Sequence, residues 1–215
     1  MEIKNKSGNV IGKIQIESSE KDTALNEIVM NLQPGEGKAI YVADAAPDHQ
    51  FTQQTNYAAT PWDQGMDILK EKLLPWQPRF PKKHIAQDIQ IYYGFNNLSP
   101  QEIEEMAQEC KSTGSNVVIR DLIPNNNIVG VRVMYDKFLF HLFGTTKTRI
   151  QHSYNGQATV TALHIRGYDA FYISDPEYNR LLWIEEDVNG KPLQYEISGQ
   201  NIEQKDLIEL AESLI

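Results

Sequence analysis

Alternating apolar and polar positions run through much of this chain, most clearly from Gly167 to Ile215 (GYDAFYISDPEYNRLLWIEEDVNGKPLQYEISGQNIEQKDLIELAESLI). Ala170 and Tyr172 alternate with Phe171 and Ile173, the period-2 signature of a strand. Asp175-Pro176 and Asn179 mark a turn, and Arg180 to Glu186 is the next strand, with Leu182 and Ile184 facing one way and Leu181 and Trp183 the other. Asn189-Gly190 predicts a hairpin leading into Leu193–Ile197. Asn201 is then expected to cap a closing helix whose apolar stripe is Ile202, Leu207, Leu210, Ala211 and Leu214.

The same reading carries back through the chain. Val10, Gly12, Ile14 and Ile16 predict an early strand. A helix over 22–32, capped by Asp22 or Thr23, precedes a buried strand from Lys38 to Ala43. Residues 44–61 lack periodicity and read as either a surface loop with a job or a poorly ordered segment. Thr60-Pro61 looks like a cap followed by proline in the first turn of a helix carrying Trp62, Met66, Leu69 and Leu73. Three prolines in the seven positions from Pro75 to Pro81 exclude regular helix or central strand and predict a rigid strap or a boundary.

Beyond the strap, Ile85 to Phe95 alternates as a strand. Ser99-Pro100-Gln101-Glu102 is a capping box opening a helix through Ile103, Met106, Ala107 and Cys110. Strands follow near 117–121, 128–135, 137–151 and 158–166, with a hairpin at Asp136-Lys137 and a turn at Asn155-Gly156. The expected fold is α+β, a mainly antiparallel twisted sheet with three to four helices, the C-terminal one packed on the sheet. The expected division is an N-terminal region, 1–83, which is either separate or integral to one domain, and a C-terminal sheet-plus-helix domain, 84–215.

Charge and composition narrow the function classes. Residues 1–83 carry 10 basic and 11 acidic side chains, while residues 84–215 carry 10 and 18, so most of the net charge of −9 sits in the second part. An acidic surface without basic clusters argues against nucleic acid and anionic membranes as partners. No apolar run approaches the ~20 residues that a membrane helix needs, and no signal-peptide pattern opens the chain. Cys110 is the lone cysteine, which excludes an intrachain disulfide and is read as a small apolar or semi-exposed residue.

Candidate chemistry is sparse. His141, His152 and His164 fall on neighbouring predicted strands without metal-ligand spacing. Glu185, Glu186 and Asp187 read as a solvated acidic hairpin tip, and Asp169, Asp175 and Glu177 as carboxylates without a catalytic pattern. Glycine-rich phosphate loops and the GxSxG nucleophile motif are missing, so no cofactor, no metal and no enzymatic activity are expected. The many aromatic residues on predicted strands leave two readings. One is an ordinary core with scattered exposed rings. The other is an apolar groove, for a lipid, a peptide or a partner segment, built from Tyr92, Phe140, Trp183 and Tyr195.

The terminal block also resembles the bacterial domain-of-unknown-function family DUF 4367. The resemblance rests on Ala170-Phe171-Tyr172-Ile173, Leu181-Leu182-Trp183, Tyr195-Glu196-Ile197-Ser198-Gly199 and the closing Leu210-Ala211-Glu212-Ser213-Leu214-Ile215. It covers the last fifty to sixty residues and departs in a longer acidic hairpin at Glu185–Gly190. It implies an extracytoplasmic domain of Gram-positive bacteria, held at the cell envelope behind a membrane anchor outside this chain, in a lipoprotein or an anti-sigma-factor-like regulator. A native start at Met1 implies a cytoplasmic protein instead. The role implied is non-catalytic sensing, binding or scaffolding toward an unknown protein. The alternative is a carrier for a lipid or other apolar ligand.

Overall fold

The computed structural model describes residues 1–18, 28, 30–47, 50–72, 76, 78–81, 84–144, 149–154, 158–176 and 178–214. By its contacts the chain divides into two compact units, one formed by residues 1–20, 59–92 and 129–215, the other by 21–58 and 93–128. Neither unit coincides with 1–83 or 84–215, because both draw segments from either side of residue 83. The fold is α+β, mostly antiparallel, with three helices among the described residues.

The larger unit contains most of an eight-stranded sheet, ordered β11 (Thr159–Ile165), β12 (Tyr168–Ser174), β13 (Asn179–Glu186), β14 (Pro192–Gly199), β9 (Leu139–Gly144), β8 (Pro124–Tyr135), β6 (Ala86–Phe95) and β5 (Ala59–Pro61). Strands β6 and β8 run across the unit boundaries at 92/93 and 128/129. Tight turns set the register. Arg166 and Gly167, between β11 and β12, both take positive φ (53° and 86°), as a two-residue hairpin with Ile165 opposite Tyr168 requires. Between β13 and β14, Asp187 Oδ1 accepts from the backbone N–H groups of Asn189 and Lys191, both at 2.8 Å, while Gly190 takes φ +74°.

Alternation along β13 sorts the core. Leu182 and Ile184 pack with Phe171 and with Ile3 of β1 (Glu2–Lys4), which pairs with β2 (Val10–Ser18). Strand β2 pairs in parallel with β10 (Arg149–Tyr154), a long-range pairing that local pattern does not announce. Leu181 and Trp183 point the other way. Helix α3 (Gln204–Glu212) packs on β13 and β14, burying Leu207, Leu210 and Ala211. Burying each leucine contributes roughly 1.5–3 kcal/mol. Glu203, not Asn201, occupies its cap position, and Asn201 instead takes φ 56° in the preceding turn.

Helix α1 (Trp62–Glu71) starts one residue later than Thr60-Pro61 predicts. Thr60 and Pro61 belong to β5, and Pro61 is the cap residue. The segment expected to be all loop thus contains β5 and β4 (Phe51–Thr55). Gly65 of α1 lies so close to β6 that a Cβ there would sit 1.9 Å from Ile89 Cγ2. In an ordinary helix, replacing glycine by alanine is stabilising by ~1 kcal/mol. Gly65→Ala is expected to reverse that sign and destabilise by about 1–3 kcal/mol through overpacking, read as a lower urea midpoint.

The strap is pinned down where it is described. Phe80 meets Trp62 and Phe140 edge-on, with ring centroids 5.2 and 5.9 Å apart, Trp76 is buried, and Pro81 bridges to Leu214.

The smaller unit is a three-stranded antiparallel sheet, with β3 (Gly37–Val42) between β4 and β7 (Val117–Asp121). Helix α2 (Pro100–Thr113) packs Met106 and Cys110 against Ala39, Val118 and Leu122, so Cys110 is a core residue. The expected capping box is present. The Glu102 N–H donates to Ser99 Oγ at 3.2 Å and the Ser99 N–H to Glu102 Oε2 at 2.7 Å. The Ser99 backbone N–H and the Ser99 hydroxyl, both donating to Glu102 Oε2, hold the Glu102 carboxyl below its ordinary range. Gly114 closes the helix in the left-handed conformation, φ +71°. The helix expected over 22–32 and the turn at 155–156 lie wholly or largely outside the described residues.

Candidate functional site

Two constellations in the larger unit gather polar chemistry. The first is buried. Glu185, only 3% exposed, accepts from Arg79 Nη1 at 2.9 Å, Arg166 Nε at 2.8 Å and Trp183 Nε1 at 3.0 Å. Arg166 Nη1 also donates to the Leu214 and Glu212 carbonyls at 2.9 and 3.4 Å, and its N–H donates to Glu212 Oε1 at 3.0 Å. Strap, hairpin and strand thus meet at one carboxylate, and Arg166 ties the end of α3 to it. Fully bonded, this cluster is structural. It corrects the expectation of a solvated acidic tip, because Glu185 shares the inward parity of Leu181 and Trp183. Of its neighbours, Glu186 takes the side-chain amide of Asn5 and Asp187 holds the turn.

The second constellation is a half-open cleft of about 1100 Å³ between the β8–β9 hairpin, the end of β14 and α3. Its apolar base includes Tyr135 and Phe138, both buried and stacked on each other at 4.5 Å and 18°. His84 stands edge-on to both rings, 5.1 Å from Phe138 and 6.3 Å from Tyr135. Burial pushes the Tyr135 phenol above its ordinary range, so it stays neutral. Gly199 allows the hairpin to approach β14, since a Cβ there would lie 2.7 Å from the Lys137 carbonyl oxygen. Asp206, Glu209, Leu210 and Ser213 line the cleft from one face of α3, at the three-to-four-residue spacing of a helix. Asp136, which accepts from Gln87 Nε2 at 2.5 Å, adds a third carboxylate, and Lys137 supplies the one ammonium among the described lining residues. Ile85, 84% exposed, adds an apolar side chain to the lining.

The residues singled out from the sequence are placed differently. Phe140 and Trp183 are wholly buried, and Tyr195 is 1% exposed. Trp183 stacks on Tyr195 at 5.1 Å and 9°, and Phe140 tilts against Tyr195 at 6.1 Å. Tyr92 is half-buried and stacks on Phe143 at 5.3 Å instead. The four therefore do not form an open groove. Three belong to the core, covered in part by the strap, whose Phe80 meets Phe140.

His164 is exposed and pairs with Asp169 at 3.2 Å, and Asp169 also accepts from the Lys4 N–H at 3.0 Å. Asp175 caps its own turn through the Tyr178 N–H at 2.7 Å. The side chains of His152 and Glu177 lie outside the described residues, among which no group of three or more His, Cys, Asp or Glu is arranged to hold a metal ion. Sequence reasoning missed the cleft. Its signal was faint, namely acidic positions on one side of the closing helix and aromatic residues flanking the Asp136-Lys137 turn.

Comparison of the chain with protein-family models, with curated proteins and with solved structures finds no match, so the resemblance to DUF 4367 stands on the residues of the terminal block alone.

Proposed function

We propose that this chain is a non-catalytic binding domain whose cleft takes a ligand with positive charge next to an apolar group, such as a lysine-bearing peptide segment. The observation that carries the reading is the lining. Among the described residues, three carboxylates and one ammonium line the cleft together with stacked aromatic side chains. Carboxylates favour cations, aromatic faces and edges accept the apolar part of a ligand, and a concave site with few polar groups is the usual form of a binding pocket. A sensing or scaffolding role at the cell envelope is the biological setting proposed, on the family resemblance. The carrier reading is less favoured, since Phe140, Trp183 and Tyr195 are core residues.

The test is an NMR titration with two short peptides that differ only in lysine against glutamate. The lysine peptide is expected to shift resonances of His84, Phe138 and Ile202. D206K/E209K, which reverses two exposed charges, is expected to weaken binding roughly tenfold, about 1.4 kcal/mol. Equal shifts from both peptides, or none at millimolar concentration, would rule the cleft out as a cation-selective site.

A further inference from the structure

Strand β11 ends the eight-stranded sheet, and among the described residues no strand pairs with its outer edge. Its seven residues, Thr-Val-Thr-Ala-Leu-His-Ile, make it the longest edge strand the described residues form. Natural edges are usually blunted by proline, charge or shortness. Here β5, at the other end of the sheet, has three residues and Pro61, and β7 carries Arg120 and Asp121. Strand β11 has neither proline nor a lysine, arginine or carboxylate. Thr159, Thr161, Ala162 and His164 are exposed, and these positions fall on both faces of the strand.

We propose that β11 pairs antiparallel with β11 of a second copy of this chain, across a two-fold axis at Ala162, joining the two sheets. The occupant follows from symmetry and charge. An antiparallel strand paired with itself presents the same row of N–H and C=O groups from both sides, and the two-fold closes the assembly. In this register Ala162 faces Ala162, Thr161 faces Leu163 and Val160 faces His164. No like charges oppose each other, although each chain carries −9 overall. Asp169, the carboxylate paired with His164 on β12, is already engaged by His164 and the Lys4 N–H. A single strand pair buries less than the ~1,200 Å² of a stable interface, so the dimer belongs to the weak, concentration-dependent class.

Sedimentation equilibrium over roughly 5 to 200 µM, a range suited to such an interface, should show the mass rising from 24.6 kDa toward twice that value. Thr161→Lys and Ala162→Lys, one on each face of the edge, should each hold the chain monomeric with an unchanged circular dichroism spectrum. Amide exchange of the unmodified chain gives a second readout, with protection growing with concentration at Val160, Ala162 and His164, whose N–H groups face away from β12. A chain that stays monomeric throughout, or lysine variants that dimerise as well as the parent, would overturn the proposal. Concentration-independent exchange at these amides would do the same, as would a monomer that captures a foreign strand there instead.

Discussion

Glu185→Ala is expected to lower the unfolding free energy by about 3–5 kcal/mol, the loss typical of removing one partner from a buried ion pair. The carboxylate takes hydrogen bonds from Arg79, Arg166 and the Trp183 indole, and Arg166 has little exposure of its own. Deleting it leaves two guanidinium groups facing each other and a buried indole N–H with its acceptor gone. Glu185→Gln keeps an acceptor for the indole and one arginine but loses the charge, so its loss should be smaller. Urea unfolding followed by tryptophan fluorescence ranks the three proteins. A Glu185→Ala midpoint within error of the parent would show the cluster to be an exposed, solvent-screened one. Replacing Glu185, Arg79 and Arg166 together by apolar residues of similar size should recover much of the loss, because the cost lies in orphaned charge.

Trp183→Ala should cost a comparable ~3–5 kcal/mol, from the apolar surface lost and the cavity left behind. The ring is fully buried and nearly parallel to Tyr195, and its N–H is one of the three donors to Glu185. Stacking alone is worth ~0.5–1.5 kcal/mol. Added indole should refill the space and raise the melting temperature of the variant and not of the parent. Tyr195→Phe is the matched control. The Tyr195 hydroxyl is buried with no hydrogen-bond partner among the described residues, so its removal should change stability by less than ~1 kcal/mol. A small effect of Trp183→Ala would place the ring at a surface and reopen the groove.

Both predictions bear on what the chain revealed before it was folded. Local signals were legible where one physical rule acts alone. The Ser99 capping box, the Asn189-Gly190 turn and the alternation of Leu181 to Ile184 all appear as expected. The alternation says which residues share a face of the sheet, yet not what covers that face. Phe140, Trp183 and Tyr195 thus meet as the groove reading grouped them, but in the core, the other of the two readings the pattern allows. Glu185 has the parity of the core but the company of Glu186 and Asp187, and the partners that let it be buried, Arg79 and Arg166, lie far from it in sequence. Thr60-Pro61 and Asn201 carried cap-like chemistry that β5 and a left-handed turn took instead. The cleft depends on a hairpin, a strand end and a helix from three separated segments, which no sequence window contains.

The parallel partnership of β2 and β10 also has a consequence in time. Lys13 pairs with Arg149, 136 residues later in the chain. Ile3 needs Phe171, Leu182 and Ile184 to complete its surroundings. During synthesis at ~5–20 residues per second, β2 therefore waits roughly 7 to 30 s before its partner has even been made. Through that interval β1 and β2 hold no more than a marginal two-stranded ribbon. Closing so distant a pair is also entropically slow, which puts the start of this chain among the last parts to reach their final place.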